Sequence, residues 1–421
     1  MNLGENTAVS GATGFELSVL TANDLIYGFL AFLFSVLLTF ALTPVVRALA
    51  YRIGAVDYPK DARRMHKDPT PLIGGLGIFV SFTASALLFL PRVSRSIAGM
   101  LIGMLLMVLL GVADDVWDLN PFAKLFGQLI AAAVPVFFGQ IRIESIILGD
   151  NTVLFPEWLS VAITVFWIVC ITNSVNLIDG LDGLACGISV IASFCLLLSA
   201  IISSAETTIA VLALLLAGAC LGFLPYNLHP AKIFMGDTGS LMLGYALATL
   251  SVIGVFKFNA IVSFLVPFLI LGIPFGDTLL AIVRRISHHQ SPFKADRGHL
   301  HHKLVDMGFS QKSAVLILYA ISALLGICAV MFTGNYVRVA IYVFLIGIAV
   351  VVLDFVTLSG KNEQARIHSG VMEHPETPEP PPPAEESAPE EEREPELYEE
   401  DAAPLPTVTV EGKTEPSDKE N

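Results

Sequence analysis

The sequence predicts an all-α integral membrane protein, and three observations carry that prediction. Hydrophobic residues make up 54% of the 421, and mean hydropathy is +0.70; soluble domains have an apolar share of roughly 45–50%. Apolar runs near the ~20 residues that a bilayer core demands recur along most of the chain. Between them, motifs rich in Asp, Asn and His return on connections that belong to one side of the membrane.

About eleven runs qualify as transmembrane helices: Leu25–Leu49, Leu72–Leu90, Ile97–Ala113, Phe122–Gly139, Leu159–Asn176, Leu184–Ser203, Thr207–Tyr226, Leu241–Phe256, Ala260–Ile282, Ala314–Phe332 and Val337–Leu358. Residues 1–24 are a short polar lead with no assigned function, and 25–358 are the polytopic body. The first run lacks a basic segment before it and is long enough to span, so no signal peptide is expected. Cys170, Cys186, Cys195, Cys220 and Cys328 fall in or beside the runs without paired spacing. They read as small core residues, not as a disulfide or zinc framework.

The net charge of −14 belongs almost wholly to the end of the chain. From Lys361 onward there are 18 acidic and 5 basic residues, which leaves the body at about −1. Residues 359–421 are Pro- and Glu-rich, with Pro380 to Pro383 in a row, and bury too little to fold, so a disordered acidic tail is expected.

Orientation follows from Lys and Arg. With the first loop taken as cytoplasmic, that side holds fourteen basic residues against five opposite. The bias puts the N-terminus outside and, with an odd number of spans, the C-terminus in the cytoplasm. The same parity places every polar motif in a cytoplasmic connection. Tyr51–Pro71, with Arg52, Lys60, Arg63, Arg64 and Lys67, is either a topology signal alone or also a phosphate-holding loop.

The first motif is Gly111-Val112-Ala113-Asp114-Asp115-Val116-Trp117-Asp118. If the helix continues through it, Asp114, Asp115 and Asp118 share a face and would repel one another unless a cation or bound protons offset them. Lys124 and Gln128 downstream are placed to reach back. The second runs from Asn173 to Gly187 and holds Asn176, Asp179 and Asp182, with a glycine after each Asp. Carboxylates at a membrane boundary are costly and need a reason; a polyanion held by divalent metal supplies one. Ordinary turn chemistry is the alternative.

The third motif, Pro225 to Ser240, places Lys232 ahead of Gly236-Asp237-Thr238-Gly239 at a helix start, where N–H groups can cradle phosphate and Asp237 can take metal. A simple helix cap using Asp237 or Ser240 is the alternative. The fourth, Arg284 to Ser313, contains Asp296-Arg297-Gly298-His299-Leu300-His301-His302. Clustered histidines suggest zinc, but the sulfur partners zinc would want lie in the spans. A cationic cluster for pyrophosphate is preferred.

Taken together, Asp114-Asp115, Asn176-Leu177-Ile178-Asp179-Gly180-Leu181-Asp182-Gly183, Phe234-Met235-Gly236-Asp237-Thr238-Gly239 and His299-Leu300-His301-His302 resemble, in order and membrane context, the motif set of the polyprenyl-phosphate N-acetylhexosamine-1-phosphate transferases. The resemblance covers roughly residues 25–358. The Arg297-Gly298-His299-Leu300-His301-His302 form, with Asp277 ahead of Arg284-Arg285, is similar to the branch that makes undecaprenyl-pyrophosphate-GlcNAc for teichoic acid, O-antigen (lipopolysaccharide) or related envelope glycans. The phospho-MurNAc-pentapeptide branch carries three consecutive histidines, and Leu300 interrupts that pattern here. That branch, or another UDP-N-acetylhexosamine, is the alternative.

The resemblance implies a phosphoglycosyltransferase of the cell (inner) membrane, dependent on Mg²⁺ with Mn²⁺ as substitute. It would join UDP-GlcNAc to undecaprenyl phosphate or another polyprenyl phosphate, releasing UMP on the cytoplasmic face. It implies Asp237, Asp115 and Asp179 as metal ligands, and Asp114, Asp115, Asp179 and His299 as catalytic. Asn176, Asp182, Lys232, Arg297, His301 and His302 would bind substrate. The lipid bilayer is the expected surrounding, a homodimer is kept as an assembly, and no nucleic acid is expected. The rival class, an ion-coupled transporter, would place its site near the bilayer midplane, often at a repeat interface; these motifs gather on one face and no repeat is visible.

Overall fold

The computed structural model describes residues 22–58, 69–148, 151–203, 207–254, 266, 268–287, 300–334 and 336–350. Residues 1–21 of the lead, the tail 359–421, and both Arg297 and His299 lie outside them. Twelve helices are described: α1 (Ala22–Ile53), α2 (Gly75–Phe89), α3 (Arg95–Trp117), α4 (Pro121–Phe137), α5 (Glu157–Ile178), α6 (Leu184–Ile202), α7 (Thr207–Asn227), α8 (Gly236–Gly254), α9 (Gly272–Ser287), α10 (Leu300–Asp306), α11 (Gln311–Thr333) and α12 (Val337–Val350). Six of them, α1, α3, α5, α6, α7 and α11, are long and apolar enough to cross a membrane. The chain is a helical multi-pass membrane protein.

Three of the expected runs appear as apolar helices of 10–17 residues, α2, α4 and α12. The cause is visible for two of them. Leu72 is extended: its N–H donates to Ala55 O at 2.9 Å, and the N–H groups of Gly74 and Gly75 donate to Phe234 O and Met235 O at 3.0 Å. The two glycine donors bond the segment just ahead of α8, so α2 begins only at Gly75. α4 starts at Pro121, a residue suited to a first helical position, and Asn120 caps it by accepting from Ala123 N at 2.8 Å. It ends just before Gly139. The run Ala260–Ile282 is described only in part.

Two antiparallel ribbons interrupt the all-α pattern. β1 (Val56–Asp57) pairs with β2 (Thr70–Pro71), Val56 opposite Pro71. β3 (Ser145–Leu148) pairs with β4 (Asn151–Leu154), Ser145 opposite Leu154. Ile146, Ile147, Thr152 and Val153 are β-branched and favour the extended state, but four residues are too few to announce a strand in so apolar a chain.

α8 is the central helix. It packs chiefly on α3 and α5 and also meets α2, α6 and α7. Leu241 to Leu250 along it are fully buried. Lipid tails are as apolar as leucine, so helices associate in a membrane by close packing rather than by escaping water. Small residues make that approach possible: a Cβ on Gly111 of α3 would lie 2.4 Å from the Thr238 Cα, and one on Gly244 would lie 2.6 Å from the Thr172 Cα on α5. α1, by contrast, leaves Leu25, Phe29, Leu37 and Val45 exposed, as suits a lipid-facing helix. The C-terminal ends of α3, α5 and α7 and the N-terminal ends of α4, α6 and α8 meet at one end of the bundle.

Candidate active site

The site grows from the junction of α3 and α8. α8 opens at Gly236 with free N–H groups, and its partner comes from 122 residues earlier. Asp115 Oδ1 accepts from Asp237 N at 2.8 Å, and Asp115 Oδ2 accepts from Thr238 N at 3.0 Å and Thr238 Oγ1 at 2.6 Å. Asp115 therefore caps the helix that carries Asp237, combining a cap with a charge at the positive helix end. Gly236 has φ +70°, and a Cβ there would meet Asp115 Oδ2 at 2.4 Å. Only glycine admits the carboxylate so close.

Asp118 does not join the pair. α3 ends at Trp117, and Asp118 turns left-handed at φ 51° with its N–H on Asp114 O. The shared face expected for Asp114, Asp115 and Asp118 is not formed.

Lys124, at the start of α4, is the hub on the other side. Its Nζ pairs with Asp114 Oδ2 at 2.8 Å, pairs with Asp237 Oδ2, and lies 3.3 Å from Asn176 Oδ1. Asn176 on α5 donates through Nδ2 to Asp237 Oδ1 at 2.6 Å and to Ser240 Oγ at 2.8 Å. Asp114 Oδ1 also accepts Leu119 N at 2.9 Å. Lys124 reaches back to the first motif as expected; Gln128 does not. It is buried and exchanges amide hydrogen bonds with Asn173, at 2.6 and 3.2 Å, one turn deeper.

The Asp-rich turn between α5 and α6 is held at its C-terminal end. Asp182 Oδ2 accepts Ala231 N at 3.1 Å and lies 2.8 Å from His229 Nδ1. Gly183, at φ +80°, turns the chain into α6. Asp179 differs from the others: its carboxylate has no hydrogen-bond partner among the described residues. Burial pushes its carboxyl up to about 8, and the charges of Asp237, Asp115 and Asp182 push the same way.

Several of these groups line one cavity of about 630 Å³, whose wall includes Asp115, Asp179, Asp182, Asp237, Asn227 and His229. Asp57 is a fifth lining aspartate, and no Lys or Arg lines it among the described residues. Asn227 is 2% exposed; its Nδ2 donates to Ile233 O at 3.2 Å, while its Oδ1 has no partner. Among the described residues no three His, Cys, Asp or Glu side chains form a ready-made metal cage. The donor set nevertheless suits a hard cation. Its carboxylates and the Asn227 amide offer oxygen, the His229 Nδ1 is engaged with Asp182, and Mg²⁺ typically takes one or two carboxylates and completes its shell with water and substrate phosphate.

The structure thus gathers Asp114, Asp115, Asn176, Asp179, Asp182 and Asp237 at one place. Lys232 is exposed and does not line the cavity. His301 and His302 ride on α10, whose first N–H, at Leu300, donates to Asp277 Oδ1 on α9 at 2.9 Å; their side chains lie outside the described set. Asn227, His229 and Thr238 went unread in sequence. All three sit inside the third motif, but nothing in its spacing ties them to Asp182 or Asp115.

Residues 97–255 match the model of Glycosyl transferase family 4. The chain is 38% identical over 317 residues to a probable undecaprenyl-phosphate N-acetylglucosaminyl 1-phosphate transferase of Bacillus subtilis, covering 75% of this chain and 88% of that protein. It is 38% identical over 312 residues to a decaprenyl-phosphate N-acetylglucosaminephosphotransferase of Mycolicibacterium smegmatis, covering 67% and 76%. A phospho-N-acetylmuramoyl-pentapeptide-transferase of Oceanobacillus iheyensis is 32% identical over 325 residues, covering 71% and 94%.

Proposed function

Because this chain belongs to glycosyl transferase family 4 and is a phosphoglycosyltransferase, we propose that it transfers GlcNAc-1-phosphate from UDP-GlcNAc to undecaprenyl phosphate or a similar polyprenyl phosphate. The products are the polyprenyl-pyrophosphate-GlcNAc and UMP. The observation that carries this reading is the convergence of three motifs on one cavity in which Asp179 has no hydrogen-bond partner among the described residues. Two anionic substrates can meet there only if their repulsion is offset.

In the proposed topology the chain crosses the bilayer about eleven times with its N-terminus outside, so that the cavity opens to the cytoplasm. A soluble nucleotide and a membrane lipid would then both reach it.

Asp237 and Asp179, with Asp115 behind them, would hold Mg²⁺, which when bound neutralises phosphate charge and aligns the reacting groups. The remaining work falls to the chain's own residues. A polyprenyl phosphate, with a second pKa of about 6, is largely dianionic at neutral pH and needs positioning more than deprotonation. Its oxygen attacks the phosphorus that bears the sugar, the bond from that phosphorus to the UMP oxygen breaks, and UMP leaves with the electron pair. Direct attack is favoured over a phospho-aspartyl intermediate. Both oxygens of Asp115 are engaged by α8, and Asp114 is shared between Lys124 and Leu119 N, so neither is a free nucleophile. Asn176 and Lys124 keep Asp237 aimed into the cavity.

The test is UMP release by the detergent-purified full chain given undecaprenyl phosphate and a panel of UDP-sugars. UDP-GlcNAc should be turned over fastest. Faster turnover of UDP-MurNAc-pentapeptide would place the chain in the other branch, and no UMP with any donor would remove the reading altogether. In the same assay Arg297→Ala is expected to lower kcat/KM by at least about tenfold, the scale of losing a charged contact to a phosphate. Lys312→Ala, at an exposed position on α11, should cost little. Equal losses at the two would show that the fourth motif does not serve the donor.

A further inference from the structure

The turn that presents Asp179 is clamped at a point the reaction chemistry does not explain. Tyr319, in the middle of α11, donates its hydroxyl to Gly183 O at 2.5 Å. α6 starts at Leu184 after Gly183, with no side-chain cap of its own. Asp182 is pinned by His229 and Ala231 N, and Tyr319 pins the next residue, Gly183, from a different helix. Asp179, whose carboxylate is unpaired among the described residues, lies between the end of α5 at Ile178 and these two adjacent holds.

The tyrosine ring is fitted closely to this task. A Cβ on Gly187, one turn into α6, would lie 2.0 Å from the Tyr319 hydroxyl, so the ring lies directly on the first turn of α6. The carbonyl it holds does not depend on it for satisfaction, because Gly187 N also donates to Gly183 O at 2.9 Å. A hydroxyl that is not needed to satisfy a buried carbonyl adds little as a stability contact. What it adds is location: it fixes Gly183, and with it the turn, against α11.

We propose that Tyr319 is a positioning residue that sets the Asp179 carboxylate for divalent-cation binding, through its hydrogen bond to Gly183 O. The proposal rests on the cavity being the metal and diphosphate site. It also makes α11, which follows directly on the fourth motif and α10, a mechanical link between that motif and the Asp-rich turn.

The test uses Mn²⁺ as probe, titrated by electron paramagnetic resonance into detergent-purified full chains: wild type, Tyr319→Phe, Gly187→Ala, Asp179→Asn, Asp237→Asn and, as control, Leu316→Ala at an exposed α11 position. Tyr319→Phe keeps the ring and should bind Mn²⁺ about 3–10-fold more weakly, the scale of one hydrogen bond. Its melting temperature should be unchanged, and its lost rate should return at raised Mg²⁺. Gly187→Ala, which displaces the ring, should weaken Mn²⁺ binding in the same way, and it decides the matter if Tyr319→Phe fails to fold. Wild-type Mn²⁺ affinity in folded Tyr319→Phe overturns the proposal alone, as does a rate loss that no Mg²⁺ concentration repairs. Mn²⁺ binding that neither Asp179→Asn nor Asp237→Asn weakens overturns the metal-site reading, and the proposal with it.

Discussion

Replacing Asp237 with asparagine is expected to lower turnover by about 100-fold or more, the scale of removing one group that stabilises transition-state charge, in a protein that still folds. The two halves of that expectation rest on different contacts. Asp237 takes Lys124 on one oxygen and Asn176 Nδ2 on the other, and it faces the cavity. Asparagine preserves its volume but removes the charge. Lys124 is not orphaned, because Asp114 still pairs with it at 2.8 Å; the large penalty of an unpaired buried cation is avoided. Asp115→Asn should behave differently. An amide cannot accept on both sides. Whereas the donors facing Asp237 are side chains that can turn away, those facing Asp115 are fixed backbone N–H groups of α8, so its NH₂ would confront one of them and melting temperature should fall along with activity. UMP release and thermal unfolding on the two variants separate these roles. Near-normal turnover in Asp237→Asn would remove Asp237 from the site, and an unchanged melting temperature in Asp115→Asn would remove the capping role.

That division between Asp115 and Asp237 also marks where sequence reasoning stops. The apolar runs and the four polar motifs are local signals, and the helices and their meeting ends follow from them. Asp179, Asp182, Asn176 and Asp237 were all legible, because carboxylates and amides beside a membrane span need a purpose. The link from Asp115 to the start of α8 was not legible, since it joins residues 122 apart in sequence and depends on how closely α3 and α8 approach. His229 was missed for the same reason: its partner Asp182 lies 47 residues earlier. Asp118 misled because helical spacing was extended one residue beyond Trp117, where the backbone leaves the helix. The late start of α2 was hidden because what ends the apolar run's helicity is pairing with Phe234 and Met235, not any local breaker.

Removal of divalent metal is expected to abolish UMP release, with activity returning on addition of Mg²⁺ or Mn²⁺, and the state of Asp179 gives that dependence a direction in pH. Burial, then Asp237, Asp115 and Asp182, raise its carboxyl from 3.8 to about 8. Between those values the metal-free folded chain holds a proton that the unfolded chain has lost. Metal-free stability should therefore fall as pH rises from about 5 to 8, because the native state binds more protons there. A cation at the site must displace that proton, so apparent metal affinity should climb over the same interval and level off above about pH 8. The stabilisation that Mg²⁺ confers, read as the shift in melting temperature at fixed Mg²⁺, should accordingly be larger at pH 8.5 than at pH 6. Asp179→Asn lacks that proton and should show a smaller increase across that range than the wild type. A Mg²⁺-induced shift that shrinks with rising pH, or undiminished UMP release in excess EDTA, would take Asp179 and the cation out of the mechanism.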